Sequence, residues 1–159
     1  MNINTHTLSP STVETMTGVP AIHPRDWRTK GFIEQYGKQD SNRHWKYSFR
    51  DAVAIWFAWR LIGFGRDRRQ ACILAWEAAP YLIDFIRGTE ADRQFVFSVE
   101  VFVQDSSTGV VGFASNFAGI EEAAEDHEQA ERFDTYDLKR IAKTVPVGMR
   151  EVAEDIENW

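Results

Sequence analysis

The chain has one cysteine, Cys72, among 159 residues. An intramolecular disulfide is therefore impossible, and so is a cysteine-rich zinc cluster within one chain. Long apolar runs are also missing. The longest, Ala52 to Phe64, is interrupted by Arg60 and is too short to span a bilayer. Met1 to Pro10 is polar and lacks the apolar core of a secretory leader. The expectation is a soluble, cytoplasmic protein without a membrane partner. No phosphate-binding glycine loop, no Cys–His pair suited to nucleophilic catalysis and no H-E-x-x-H metal motif occurs, so the residues do not point to an enzyme. The histidines, His6, His23, His44 and His127, are scattered, and Asp126-His127-Glu128 would point in different directions on a helix. Neither a metal nor a cofactor is expected.

Bulky apolar residues are plentiful: 43% of the chain is hydrophobic, with 11 Phe and 6 Trp, enough to fill a core without staples. Charge is unevenly placed. Residues 1–80 carry 11 Lys+Arg and 7 Asp+Glu, a net +4, whereas residues 81–159 carry 7 and 17, a net −10. A basic front half and an acidic back half suggest two tasks.

Local signals divide the front half. Residues 1–10 are expected to be loose. Ser11-Thr12-Val13-Glu14 has capping-box spacing, with Glu14 reaching back to the cap amide. Thr17-Gly18-Val19-Pro20 is a tight break. A second short helix runs from about Pro24 to Lys30, beginning near His23 because Pro24 opposes an earlier start, and Gly31 ends it. Gln35 to Asn42 reads as a loop or hairpin tip, and His44 to Tyr47 as a short strand. Ser48 caps a third helix, with Asp51 in its first turn and Phe49, Ala52, Val53, Trp56, Phe57 and Arg60 at helical spacing. A fourth runs from about Arg66 to Ala79, breaks or kinks at Pro80 and resumes as a short helix from Tyr81 to Arg87. Arg66, Arg68 and Arg69 at its start read as surface residues.

In the back half, Gln94 to Gln104 alternates, placing Phe95, Phe97, Val99, Val101 and Val103 on one face of a strand. Asp105 to Gly109 is a turn, and Val110 to Ala114 the returning strand. Gly119 to Arg132 reads as an acidic helix, Phe133 to Tyr136 as a third strand, and Leu138–Lys143 and Val147–Glu157 as helices separated by Pro146. The fold class is α+β: an N-terminal winged helix-turn-helix of four to five helices, then a small α+β region with a β-hairpin. The expected divisions are 1–10, 11–88 and 94–159.

The front half carries a family resemblance. Thr17-Gly18-Val19, then eleven residues, then Gly31-Phe32-Ile33 resembles the opening of MerR-type regulators, in which a T-G-V turn precedes the recognition helix and G-L-L follows it. Arg25 and Trp27 fall on the arginine and second aromatic of the R-Y-Y or R-x-W element. His44-Trp45-Lys46-Tyr47-Ser48 resembles the wing and helix start R-R-Y-S, followed by Asp51 and Val53. Leu61-Ile62-Gly63-Phe64 resembles L-G-[IF], and Gln70-Ala71 falls where E-A lies. The resemblance covers about 65 residues and implies a winged helix-turn-helix that binds double-stranded DNA as a transcriptional regulator. A phage or mobile-element accessory protein, excisionase-like or resembling a terminase small subunit, is the alternative.

The implied chemistry suits the residues. A short helix fits the major groove and presents side chains to base edges. Arg25 can chelate guanine or clamp a phosphate. Arg28 and Lys30 suit the backbone, and Arg43, His44 and Lys46 bring charge to a neighbouring groove. Trp27 and Trp45 can pack on sugar-phosphate or fill core. The expected DNA-binding set is Arg25, Trp27, Arg28, Lys30, Arg43, His44, Trp45 and Lys46. The apolar hairpin face requires a cover, either the acidic helix or a second copy, so a homodimer is expected. The acidic half is also the expected place for a protein partner or an effector.

Overall fold

A computed structural model describes residues 2–89, 91–103 and 106–156; the side chains of residues 101–108 are not among those described. The fold is α+β. The helices and strands follow in the order α1 (Pro10–Thr17), α2 (Ile22–Thr29), β1 (Lys38–Gln39), β2 (Trp45–Lys46), α3 (Phe49–Gly63), α4 (Arg68–Ile86), β3 (Phe95–Val103), β4 (Ser106–Ala114), α5 (Phe117–Asp126), β5 (Arg132–Asp137), α6 (Leu138–Ala142) and α7 (Val147–Glu154). Two antiparallel sheets result: the ribbon β1–β2, and a sheet of order β4-β3-β5. No helix among the described residues is long and apolar enough to cross a membrane.

α3 is the hub. Its N-cap Ser48 and Asp51 form the reciprocal capping pair, satisfying two otherwise orphaned amides. Phe49, Ala52 to Ala58 and Leu61 are all buried, so the helix is covered nearly all round. α4 packs along it with Ala71, Leu74, Ala75, Ala78, Ala79, Leu82 and Ile83 inside. This row passes through Pro80 without a break. Of the expected break or kink, the break does not occur, and the segment expected as a separate helix from Tyr81 belongs to α4. A mid-helix proline costs about 3 kcal/mol, but Leu82 and Ile83 beyond it are fully buried, each contributing roughly 1.5–3 kcal/mol.

Two more local expectations change. Ser9, not Ser11, caps α1, accepting from the Thr12 amide, with Pro10 at the helix start. Glu14 does not return to its own helix cap. Its carboxylate accepts from the amide of Ala21, the residue just before α2, at 3.2 Å. Residues 2–9, expected to be loose, are tied down. Ile3 is buried and its carbonyl accepts from the Arg50 amide, Leu8 bridges to Tyr47, and His6 Nε2 lies 3.4 Å from buried Asp51.

β3 is the central strand, and from Phe95 to Val99 both of its faces are covered. Phe95, Phe97 and Val99 form one buried face, as expected; Val101 and Val103 of that series have side chains outside the described residues. α5 lies over this face, with Phe117 on Phe95 (4.8 Å between rings) and His127 near Phe97. On the other face Val96 joins the helical core and Ser98 receives Arg66. One cluster of buried residues takes members from both halves of the chain, from Val13 and Met16 of α1 to Leu138, Met149 and Ala153 of α6 and α7.

Arg66 corrects a further expectation. It is 4% exposed, not a surface cation. Its guanidinium donates to Ser98 and Asp134, lies 3.4 Å from Glu100 and 3.5 Å from the Tyr136 hydroxyl. The planar fork thereby ties the α3–α4 corner to β3 and β5.

Candidate nucleic-acid interface

The turn between α1 and α2 is built by three residues. The Thr17 hydroxyl donates to the Val13 carbonyl at 2.7 Å and accepts from the Val19 amide at 3.1 Å. Gly18 supplies the left-handed conformation, φ 72°. Val19 is buried and anchors the turn. α2 begins at Ile22, slightly earlier than expected, because Pro24 is only its third residue. The first three helical amides have no intrahelical acceptor, so the missing N–H loses nothing there. The first bond of the helix runs from the Arg25 amide to the Ala21 carbonyl.

The side chains of α2 separate by face. Arg25 is exposed and forms no ion pair among the described residues. Trp27, two residues and about 200° away, is 2% exposed in the core, beside His23, which in turn lies 4.3 Å from the Trp59 ring. The expected contact of Trp27 with DNA is thus corrected: its indole faces inward. Lys30 is exposed and pairs with Asp26 at 2.8 Å.

Arg28 is committed within the protein. Its guanidinium stands 3.6 Å from the centre of the Trp45 ring and donates to the Tyr47 hydroxyl and the Tyr36 carbonyl, both at 2.9 Å. It fastens α2 to the ribbon. Tyr36 is itself buried, donates to the Cys72 carbonyl at 2.6 Å and stacks on Trp76. Burial pushes its phenol well above the ordinary tyrosine value. The segment after α2 is thereby held to α4.

The ribbon β1–β2 lies where a wing was expected. Gly37 must be glycine: its φ is 71°, and a Cβ would lie 2.9 Å from the Lys46 carbonyl oxygen. At the tip, the Asp40 carboxylate accepts from the amides of Asn42 and His44, both at 2.9 Å. The His44 amide bond is the main cause holding this carboxyl below the usual aspartate range, with the Asn42 amide bond helping it against an opposing desolvation effect. Arg43 is the one non-glycine residue with positive φ, 62°, among the described residues, and it stands exposed at the tip.

The ribbon register places Lys38 directly opposite Lys46, and Gln39 opposite Trp45. Like charges across a ladder repel. Neither lysine has an ion-pair partner among the described residues. Lys38 was not among the expected contacts. Its relation to Lys46 depends on the turn length, and the eight-residue spacing alone does not reveal it.

Two grooves meet along Trp45. One, of about 550 Å³, lies between α2 and the ribbon and is lined by Pro10, Ala21, Ile22, Arg25, Arg28, Thr29, Trp45 and Tyr47. The other, of about 400 Å³, is lined by Ser9, Pro10, Arg43, His44, Trp45 and Lys46. Pro10 and Trp45 belong to both, and no carboxylate lines either. Of the eight expected contacts, Arg25, Arg43, His44, Trp45 and Lys46 are brought together here, with Arg28 as part of the frame. Lys30 and Trp27 line neither groove. The surface offers hydrogen-bond donors and positive charge around an apolar floor, an arrangement that suits a polyanion. Compared with known proteins, the chain matches no protein-family model and no curated protein.

Proposed function

We propose that this chain binds double-stranded DNA as a sequence-specific transcriptional regulator, with α2 in the major groove and the β1–β2 wing on the adjoining backbone. The observation that carries the reading is the convergence of Arg25, Arg43 and Lys46, none of them ion-paired among the described residues, around grooves free of carboxylates, with Lys38 facing Lys46 across the ribbon. An anion seated between Lys38 and Lys46 would relieve the repulsion that their register creates. Support also comes from the order helix, turn, helix, ribbon, helix, helix, which is the order the MerR-type resemblance implies.

α2 is eight residues long, about 12 Å by its rise, comparable with the roughly 12 Å width of the major groove. Arg25 projects from its exposed side and takes the role of base reader. Arg43, His44 and Lys46 take phosphate. Arg28 and Trp45 set the distance between helix and wing, which decides whether the two elements can engage one duplex together. The acidic back half repels DNA and favours approach by the basic face.

Selection from random duplexes, followed by titration of the selected and an unrelated sequence at two salt concentrations, tests this. The expected result is binding to both that weakens with salt, with a preference for the selected duplex. Absence of binding at low salt would falsify the reading. Salt-sensitive binding without preference would remove the regulator and leave a general DNA-binding protein.

A further inference from the structure

The sheet β4-β3-β5 has two edges, and they differ. β5 is six residues long and carries Arg132, Asp134 and Asp137. Charges and short length are common means of keeping a sheet edge from pairing with another chain. β4, Ser106–Ala114, has nine residues without a charge or a proline. Its pairing with β3 runs from Phe95↔Ala114 to Val103↔Ser106 in unbroken register, so no bulge turns the edge aside.

The faces of β4 are occupied from Val111 to Ala114. Val111 and Phe113 pack toward the helical core, with the Phe113 ring 4.8 Å from Tyr81, and Gly109 lies beneath the Gln70 side chain. On the opposite face Gly112 makes room for the Phe97 ring, and Ala114 sits beneath Gly119 at the start of α5. From there α5 crosses toward β5, with Phe117 on Phe95 and His127 by Phe97, and the chain after it bonds to β3 through the Glu131 amide and the Glu100 carbonyl. The helix therefore covers a face of the sheet and leaves its β4 edge open. Among the described residues, no backbone group of residues 109–114 bonds outside the β3 ladder.

We infer that the open β4 edge pairs antiparallel with β4 of a second copy, joining two three-stranded sheets into one of six strands about a two-fold axis. The second copy is favoured over an unrelated strand by charge. Residues 81–159 carry a net −10, so two copies repel one another over most of this half, and the uncharged β4 is where they approach at least cost. In a two-fold antiparallel pair each strand meets its own sequence, and a charge near the axis would meet its like; β4 places none there. Val110 is 51% exposed, and this apolar, β-branched side chain on an edge strand gains cover from the partner strand. The inference stands apart from DNA binding, since it concerns the free protein.

The full chain without DNA is examined by sedimentation velocity from low to high micromolar concentration, beside V110K and V110E, with circular dichroism confirming that each variant folds. The expected result is a dimer for the natural chain, association weaker by about tenfold or more for each variant alone, and recovery when the two variants are mixed. Amide exchange of the natural chain gives a test free of substitutions: residues 109–114 should exchange more slowly as concentration rises. A natural chain that stays monomeric overturns the inference. So does a dimer whose exchange at residues 109–114 is independent of concentration, or one that forms equally well with folded V110K.

Discussion

The guanidinium of Arg28 lies 3.6 Å from the centre of the Trp45 ring, joining the second helix to the β1–β2 ribbon across seventeen residues of chain. Both residues belong to the surface that the charge pattern marks as basic, yet the contact turns one of its arginines into a strut. Arg28→Ala is expected to destabilise the fold by about 1–3 kcal/mol, through loss of the cation–π contact and two hydrogen bonds. Arg28→Lys should recover little of this, because an ammonium cannot reproduce the fork that reaches both Tyr47 and Tyr36. Urea unfolding with an unchanged m-value checks both variants. A stability equal to that of the natural chain would mean that the strut carries nothing.

Arg25→Ala should leave stability unchanged, since the side chain is exposed, and should weaken binding to a selected duplex by about 1–3 kcal/mol while leaving unrelated duplexes less affected. Paired anisotropy titrations at one salt concentration measure the difference. An equal loss on every sequence would make Arg25 a phosphate contact and not a base reader.

Lys46→Ala removes one member of the facing lysine pair. It should lower affinity for all duplexes alike and reduce the salt dependence of log K by roughly one unit. Lys38→Ala should act the same way. Each single substitution also relieves the repulsion between Lys38 and Lys46, so the free protein should become slightly more stable while DNA binding weakens. Opposite signs for stability and affinity are the signature of a site organised for an anion. A loss of both would mark the lysines as structural.

Much of the local architecture was legible in the sequence because its causes are local. Ser48 as the cap of α3 and Gly18 as the permissive residue of the turn are each set by their immediate neighbours, although the return bond from Asp51 and the Thr17 hydroxyl bonds came to light only in the structure. The alternation of Phe95, Phe97 and Val99 identified β3. It concealed, however, that this stretch of β3 is covered on both faces, because Ser98 and Glu100 look solvent-facing until Arg66 arrives from more than thirty residues away. The same distance hid the roles of Arg28 and Trp27. A cation and an aromatic on a basic helix suit a duplex as well as they suit an internal partner, and only tertiary packing decides. The helix does not break at Pro80 for a related reason: a local preference of about 3 kcal/mol yields to burial that continues on either side of it.

Arg66→Ala should destabilise the protein by roughly 3 kcal/mol, since removing the guanidinium leaves Glu100 and Ser98 without their buried partner and Asp134 with Arg132 alone. Asp134 is partly open to water, which keeps the figure at the low end for a buried pair. Arg66→Met, which keeps volume, should fall between the two. Thermal unfolding followed by circular dichroism ranks them, and a ranking with Met as the least stable would contradict the role given to charge.

Alkaline pH provides the last expectation. Two neighbouring acids, the phenol of Tyr36 and the thiol of Cys72, are buried in the same place, the Tyr36 hydroxyl donating to the Cys72 carbonyl. Burial raises both, first by removing water from the charged forms, and the thiol is pushed up to about 12. An unfolded thiol ionises near 8.5, so above that pH the unfolded chain releases a proton that the folded chain retains. A raised folded value contributes stability that is fully present below the unfolded value and is lost as pH rises through the folded one. Stability should therefore decline from about pH 8.5 toward 12, with tyrosine adding to the fall above about pH 10. Cys72→Ala should flatten the first part of the decline, and Tyr36→Phe the second, the latter also losing a hydrogen bond. Urea midpoints measured across this range decide it, and thiol alkylation supplies an independent reading: Cys72 should react only as fast as the protein unfolds. Rapid modification of the folded chain at pH 9 would show that the thiol is not held as its burial requires.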